Sequence, residues 1–249
     1  MAYHSGTSWR QSTVAGDLVL CGDHGRTRMF FSLGPALGET SKIDRVNSVL
    51  GSLGPQLRAV RWCEQIHGRL IASLGEEPGN PFHDASCVGR CDALITSEVG
   101  VGLLVWTADC VPVLITGGEA VAAIHIGWRG AAADIVGAVV RRYAIEYGVH
   151  PKRLRAYLGP SISGTEYQVG NEVIEALRVH VPEESGWRTD SQVDLRNFLT
   201  ARLTGLGLAP PAISKVGPCT ASSSHLASFR RDGVAAGRQW SMVYGLAGD

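Results

Sequence analysis

The chain has 249 residues, of which 45% are hydrophobic and 18% charged, so it can bury a large core, and α/β chains of this length often form one domain. Its 23 basic and 23 acidic residues cancel, and no run of like charge indicates a surface for nucleic acid. The start lacks a signal-peptide pattern and the longest apolar run, about Val99 to Ile115, is interrupted by Asp109 and Pro112, so we expect a cytoplasmic protein without a membrane partner.

The first part of the sequence predicts strands around one helix. Residues 1 to 15 are polar and without pattern, which is typical of a frayed terminus, so a single domain is expected over residues 16 to 249. Two apolar segments around a turn near Gly25 predict strands. Residues 42 to 54 have apolar positions at helical spacing and predict a helix, and a short strand is expected before His67.

The middle of the chain predicts a buried sheet. Residues 75 to 90 collect Gly, Pro, Asn and Asp, which is typical of a loop and would suit a lid. Four short apolar runs then follow in quick succession between turns, which favours neighbouring strands of one sheet: CDALIT, VGLLVW, VPVLIT and AVAAIHI.

Helices are expected after this sheet. Residues 130 to 147 carry apolar side chains at spacings of three and four, and Gly148 is a helix stop. A strand is predicted at residues 154 to 162 and a helix at 171 to 181, and Asp194 can cap a further helix. The C-terminal part mixes strands with polar loops.

Three potential metal ligands stand at the ends of predicted strands. His67, Cys110 and His125 are each followed by a turn that contains glycine or proline. Two imidazoles and one thiolate suit Zn²⁺ better than Mg²⁺ or Ca²⁺. Three protein ligands leave one position open, which is the pattern of a catalytic site. Taken alone, Cys110 is more typical of a small buried apolar residue, and it is the company of the two histidines that favours a ligand.

Two further segments suit an anion. The helix expected near Gly130 begins beside Arg129, and its free backbone N–H groups favour phosphate, although the same residues also fit a tight turn with Trp128 in the core. Three arginines follow near the C-terminus, at positions 230, 231 and 238. Such a cluster is either a solvated face or a border for an anionic substrate.

The order of motifs resembles the YfiH-type family, which was long labelled as multicopper polyphenol oxidases or laccases and since reinterpreted as zinc-dependent purine nucleoside phosphorylases. The resemblance runs from about Phe30 to the C-terminus. It rests on QIHG, CDALIT, VGLLVWTADCVPVLI, AAIHIGWRG, YLGPSISGTEYQVGNEV, FRRDG and GRQ.

This resemblance implies a fold and an activity. The fold would be a single-domain α/β (α+β) layered sandwich with a mixed central β-sheet and flanking helices. Zinc, with copper as the weaker alternative, would be bound by His67, Cys110 and His125. The substrates would be purine nucleosides and phosphate, with phosphorolysis of adenosine, inosine or methylthioadenosine and deamination of adenosine.

The resemblance also suggests roles for individual residues. Asp92 or Asp109 is expected to orient a metal-bound water or an imidazole ligand, as carboxylates near metal sites often do. Arg129 and Arg231 are the expected phosphate contacts, and Tyr167 is the expected wall of the nucleoside pocket. Each of these positions falls within one of the shared motifs.

The sequence departs from the family near its N-terminus. The family's glycine-rich GGVS-type segment and the following SLNLG are replaced by FFSLGPALGETSKIDRVN, in which Asn47 keeps the helix asparagine and is expected at the substrate site. Part of a pocket wall is therefore shortened or rebuilt. This change bears on the identity of the substrate more than on metal binding.

Several alternatives remain open from the sequence. A laccase needs clustered histidine pairs for several coppers, whereas the eight histidines here are mostly isolated. A zinc site would also serve an amidase that edits peptidoglycan precursors, and a binding domain without catalysis would be expected to lose the ligands. Cys87 and Cys91 lack nearby partners, so a structural role is favoured over a second metal pair, and the oligomeric state is not indicated.

Overall fold

Two mixed β-sheets packed face to face form the body of the protein in a computed structural model, which describes residues 7–34, 41–75 and 84–248. Helices cover the outer face of each sheet, so the layers run helix, sheet, sheet, helix. The α/β class and the mixed pairing are as the sequence predicted, but there are two large sheets rather than one central sheet.

The strands and helices have the following bounds. In chain order the strands are β1 (Ser8–Val14), β2 (Asp17–His24), β3 (Thr27–Ser32), β4 (Ala59–Glu64), β5 (Ile71–Leu74), β6 (Asp84–Arg90), β7 (Ala93–Thr96), β8 (Val101–Thr107), β9 (Val111–Gly117), β10 (Ala120–Ile126), β11 (Arg155–Leu158), β12 (Arg188–Thr189), β13 (Gln192–Val193), β14 (Ile213–Lys215) and β15 (Gln239–Gly245). The α-helices are α1 (Lys42–Ser52), α2 (Trp128–Ala132), α3 (Ile135–Tyr147), α4 (Asn171–Arg178), α5 (Leu195–Gly205) and α6 (Phe229–Asp232).

The first sheet has the strand order β1-β2-β3-β15-β8-β4-β6 and the second has β14-β11-β9-β10-β7-β5, while β12 and β13 form a small separate ribbon. Most neighbours are antiparallel, but β4 lies parallel to both β6 and β8, and β5–β7 and β11–β14 are also parallel. Of the four apolar runs that the sequence places side by side, β7, β9 and β10 are in the second sheet and β8 is in the first. All four runs are buried on both faces, so their hydrophobic pattern alone could not assign them to a sheet.

The core lies in three layers. Side chains of β8 alternate between two of them: Leu104 and Trp106 face α1, whereas Leu103 and Val105 face the second sheet. The third and largest cluster packs the outer face of the second sheet against α3, α4 and α5. Because each large sheet is covered on both faces, apolar side chains on either side of a central strand are removed from water.

The predicted frayed terminus is wrong for Ser8–Val14, which forms β1 and pairs with β2 along its whole length. Trp9 covers Gly22, where a Cβ would approach the indole ring to 2.8 Å, and its ring lies 5.5 Å from that of Phe31. β1 is at the edge of the sheet and mostly exposed. An edge strand held by backbone hydrogen bonds does not need apolar alternation, so its polar sequence resembles a loop.

The predicted loop at residues 75 to 90 is likewise wrong for Asp84–Arg90, which forms β6 and pairs in parallel with β4. This strand is also at an edge and carries Gly89 at φ 96°, so glycine and polar residues are accommodated there. The suggested lid at residues 76–83 lies outside the described residues.

The predicted helix at residues 130 to 147 is divided into α2 and α3. Between them Asp134 adopts a left-handed conformation, with φ 57°. Arg202 of α5 holds this residue by two hydrogen bonds of 2.9 and 2.8 Å to its carboxylate. Burial alone would raise the pKa of Asp134, but the Arg202 guanidinium lowers it below the usual value. The ion pair therefore stabilises the break in the helix.

Among the described residues, no helix is long and apolar enough to cross a bilayer.

Gly159 gives a test of the packing between the sheets. A Cβ at this position would lie 2.4 Å from the ring of Phe31 and 2.8 Å from Pro112, and Phe31 is fully buried. We expect Gly159→Ala to lower the free energy of unfolding by about 1–3 kcal/mol, because the ring cannot move without disturbing the core. Gly51→Ala, in α1 with nothing within 4 Å of the added Cβ, should instead stabilise by about 0.5–1 kcal/mol. Urea unfolding measures both, and equal stability of Gly159→Ala and wild type would contradict the packing described.

Candidate active site

The structure brings together the three ligands singled out in the sequence. The ligand atoms of His67, Cys110 and His125 all lie within 4.8 Å of one another. Cys110 precedes β9 and His125 is near the end of β10, and the antiparallel register that pairs His125 with Pro112 places them side by side. His67 comes from the turn after β4, and its ring meets that of His125 edge-on at 4.7 Å. The cluster could hold a metal ion.

Local backbone geometry makes this approach feasible. His67 has a left-handed backbone with φ 57°, which is uncommon for a residue with a side chain. Gly127 follows β10 directly, and a Cβ there would lie 3.0 Å from the sulfur of Cys110 and 3.4 Å from the ring of His67. A larger residue at position 127 would therefore press on two of the three ligands.

Asp92 is the buried carboxylate that organises the cluster. It accepts hydrogen bonds from the backbone N–H groups of Ile66, His67 and Gly68 at 3.2, 2.9 and 2.7 Å. One of its oxygens also lies 2.9 Å from Nδ1 of His125, which leaves Nε2 of that ring for a metal. Burial would raise the pKa of Asp92, but the hydrogen bonds from His125 and the backbone lower it. Of the two roles considered for this residue, the contacts match orientation of an imidazole.

Asp109 has a different set of partners. Its carboxylate accepts hydrogen bonds of 2.6 Å from the hydroxyl of Thr220 and 2.6 Å from the backbone N–H of Arg230. It is 8% exposed and has φ 84°. The carboxylate therefore ties the chain beside Cys110 to the segment that begins α6.

The charges of the cluster favour a thiolate. Burial raises the pKa of Cys110, but the positive charge of His125 and hydrogen bonds from both imidazoles bring it down to about 6. Burial lowers the pKa of His125, and the charge of Cys110 with the hydrogen bond to Asp92 raises it to about 9. The thiolate is the form of cysteine that binds metal, and a divalent cation would take over the role of the imidazolium proton.

A cavity of about 490 Å³ opens at the cluster. Its volume falls in the range of sites for small molecules. Besides the three ligands, it is lined by aromatic rings and cationic side chains, together with a few polar and apolar residues: Trp106, Trp128, Tyr167, Phe229, Lys42, Arg129, Arg230, Arg238, Glu64, Gln65, Thr107, Ala108, Asp109, Gly127, Ile162 and Leu195.

Two of the four expected substrate contacts line this cavity. Arg129 does so with its guanidinium 4.3 Å from the ring of Trp128. Tyr167 does so as well, and burial raises the pKa of its hydroxyl to about 12, so the hydroxyl stays protonated. Asn47 lies on the exposed surface of α1 and is not among the lining residues.

Arg231 is also outside the cavity lining. Its guanidinium donates to the carbonyl oxygens of residues 220, 221, 223 and 226 and to Asp232, so it holds the loop before α6 together. Its neighbour Arg230 lines the cavity instead, with the guanidinium 5.1 Å from the ring of Tyr167. The sequence marks both arginines, but a polar loop has no periodicity to show which of them faces the site.

Several lining residues were not singled out from the sequence, among them Lys42, Gln65 and Phe229. Gln65 is the most informative of them. Its side-chain NH₂ donates to the carbonyl oxygen of Trp106 at 2.6 Å, and its side-chain oxygen accepts from the backbone N–H of Trp106 at 2.8 Å. Its position in the QIHG motif, two residues before His67, is the sequence signal that could have identified it as a site residue. It joins the end of β4 to β8 beside the cluster.

Replacement of Asp92 tests its role as organiser. In Asp92→Asn the side-chain NH₂ would face either the backbone N–H groups or the ring of His125. Two donors would then oppose each other, and a buried N–H would be left without an acceptor. We therefore expect the free energy of unfolding to fall by about 1–3 kcal/mol. Urea unfolding of chelator-treated protein separates this effect from any loss of metal. The control is Asp190→Asn, at an exposed turn with φ 50° that asparagine tolerates. If Asp92→Asn were as stable as wild type, like the control, the hydrogen bonds of Asp92 would not contribute to the free energy of unfolding.

Known proteins resemble the chain in sequence and structure. A purine nucleoside phosphorylase of Streptomyces coelicolor is 36% identical over 219 residues, which cover 84% of this chain and 87% of that protein. The purine nucleoside phosphorylase YlmD of Geobacillus stearothermophilus is 33% identical over 196 residues, 74% of this chain and 72% of that protein, and its crystal structure superposes with a TM-score of 0.73 over 92% of each chain at 26% identity.

A crystal structure of the Bacillus licheniformis hypothetical protein YfiH shares the fold, with a TM-score of 0.79 over 92% of this chain and 96% of that one at 23% identity. The family model described as multi-copper polyphenol oxidoreductase laccase matches residues 33–245. The match covers most of the chain and includes all three ligands of the cluster. The protein therefore belongs to the YfiH-like family that carries this laccase description.

Proposed function

We propose that the protein is a zinc-dependent purine nucleoside phosphorylase. The observation that carries the proposal is the cluster of His67, Cys110 and His125 at a cavity walled by aromatic rings and cationic side chains. Aromatic rings suit a flat purine, and arginines suit phosphate. Relatives that are 31% to 36% identical are named purine nucleoside phosphorylases, which supports the same assignment here.

The donor set fits zinc. Two imidazoles and a thiolate match the ligand preference of Zn²⁺, and Asp92 orients His125 as carboxylates do at zinc sites. When bound, zinc would supply a Lewis acid with one position open to water or substrate. Among the described residues, this is the one group of three close His, Cys or acidic ligands, whereas a laccase needs several coppers, so the family's older description is the weaker assignment.

The cationic residues account for the phosphate. Phosphorolysis forms a bond between a phosphate oxygen and the ribose C1′ and breaks the bond from C1′ to the purine nitrogen, whose electron pair leaves with the base. Arg129, Arg230 and Arg238 line the cavity and can hold the anion for this attack. Arg230 is fixed by its hydrogen bonds to the carbonyl oxygens of Glu166 and Gln168 at 3.4 and 3.0 Å.

The aromatic residues account for the base. Trp128, Tyr167 and Phe229 line the same cavity, and each presents a surface on which a purine can stack. Phe229 is 52% exposed although it is large and apolar, so a bound base would bury it. The protonated hydroxyl of Tyr167 can donate a hydrogen bond to the sugar or the base.

We include four finer assignments in the proposal: the substrates, a second activity, the partners and the location. Methylthioadenosine and adenosine are expected substrates of phosphorolysis, and deamination of adenosine is expected as a second activity of the same site. The partners would be purine nucleosides and phosphate. None of the six cysteines forms a disulfide, which supports a place in the reducing cytoplasm.

Replacement of Cys110 tests the metal and the activity together. Cys110→Ala removes the thiolate, so bound zinc should fall from about one equivalent towards zero, and phosphate-dependent release of base should be lost. Elemental analysis and assays with adenosine, inosine, guanosine and methylthioadenosine, each with and without phosphate, measure both. Cys87→Ala, at an exposed thiol outside the cluster, is the control and should retain zinc and activity. A fully active Cys110→Ala protein, or wild type that releases no base from any of the four, would contradict the proposal.

Two substitutions of Asp109 distinguish positioning from proton transfer. If the carboxylate only holds Thr220 and the backbone N–H of Arg230, Asp109→Asn retains much of the activity, because the amide can accept from Arg230 and donate to the Thr220 hydroxyl, which can rotate. Asp109→Ala should lower kcat/KM roughly tenfold to a hundredfold, mainly through KM. Faster hydrogen exchange at the Arg230 amide in Asp109→Ala would report the same loss. Equal inactivity of both variants would indicate a direct role in proton transfer.

A further inference from the structure

A second cavity, of about 310 Å³, opens at the opposite end of the two sheets. Its walls come from the turn between β2 and β3, the turn between β9 and β10, the start of β11 and the end of β15. Cys110 immediately precedes β9 and Gly117 ends it, and a strand of seven residues extends about 20 Å. None of the lining residues is shared with the candidate active site. The two cavities are therefore separate sites.

The second cavity is strongly positive. Arg26, Arg153 and Arg155 line it, and among the residues that the structure describes Glu119 is the one carboxylate in the lining. The chain as a whole has no net charge, so this excess is local. Within the part of the chain that the structure describes, neither Arg26 nor Arg153 forms an ion pair. Like charges that share a cavity repel one another, and a bound anion would offset that repulsion.

Two neighbouring titratable groups, His24 and Asp23, do not cancel this charge. His24 lines the cavity, and burial together with the charge of Arg155 lowers its pKa, so this imidazole adds no negative charge. Asp23, next to it in sequence, is paired with Arg28 at 2.7 Å and with Arg10 at 3.2 Å and does not line the cavity. Asp23 is thus already neutralised by two arginines outside the lining.

We propose that this cavity binds a small, multiply charged anion at a site distinct from the candidate active site. Arginine binds phosphate and carboxylate groups through two parallel hydrogen bonds, and three arginines suit a ligand with at least two such groups. The volume lies at the lower end of that of small-molecule sites, so it fits a compact molecule. The hydroxyls of Thr27 and Ser97 also line it and can add hydrogen bonds. Bisphosphates and tricarboxylates share this chemistry.

Calorimetric titration with fructose bisphosphate and, separately, with tricarballylate tests the proposal. Comparison of the two affinities distinguishes a preference for phosphate groups from a preference for carboxylate groups. Arg153→Ala should weaken binding of the preferred probe about tenfold, since it removes one charge-assisted contact. Lys152→Ala is the matched control: this lysine is exposed and adjacent but does not line the cavity, so affinity should change less than about twofold. Glu119→Gln removes the carboxylate from the described wall of the cavity and should strengthen binding about two- to fivefold.

The opposite effects of Arg153→Ala and Glu119→Gln are required for the proposal to stand. Absence of binding by both probes at millimolar concentration would overturn it, as would equal loss in Arg153→Ala and Lys152→Ala, which would indicate general attraction to a basic surface. Arg129→Ala, in the candidate active site, should leave this affinity unchanged. Loss of binding in Arg129→Ala alone would place the probe in the other cavity and would also overturn the proposal. The titration does not depend on the enzymatic assay, so either proposal can fail alone.

Discussion

One buried carboxylate determines whether this site can exist. Asp92 is fully buried, and a buried charge is tolerated only when its hydrogen-bonding capacity is filled. Here the partners that fill it are the turn of His67 and the ring of His125. The energetic need to pair Asp92 thus fixes the left-handed backbone of one ligand and the orientation of another. Folding of the core and assembly of the site are consequences of the same contacts.

The chain crosses from the first sheet to the second three times at this point. Asp92 lies between β6 of the first sheet and β7 of the second, and Cys110 lies between β8 of the first and β9 of the second. His67 lies between β4 of the first sheet and β5 of the second, while His125 belongs to β10 of the second sheet. The ligands therefore meet where the chain passes from one sheet to the other. Irregular backbone at such crossovers supplies the directions that regular strands cannot.

Much of the site could be predicted because its residues end apolar runs. Strand ends that precede glycine turns are visible in a sequence, so His67, Cys110 and His125 could be grouped before their distances were known. Edge strands such as Asp84–Arg90 could not be predicted, since backbone pairing rather than hydrophobic pattern defines them. The choice between Arg230 and Arg231 depends on which carbonyl oxygens lie within reach, and that is a property of the folded loop. The division into two sheets depends on pairing between distant segments.

The origin of the three ligands in both layers has a consequence for the whole domain. A cation bound by all three ligands would link the two sheets, and its binding free energy would add to the stability of the folded state. Thermodynamic linkage then makes the opposite also true: anything that loosens the contact between the layers, however far from the cluster, would weaken the hold on the ion. Occupancy of the site would thus report on the integrity of the entire sandwich.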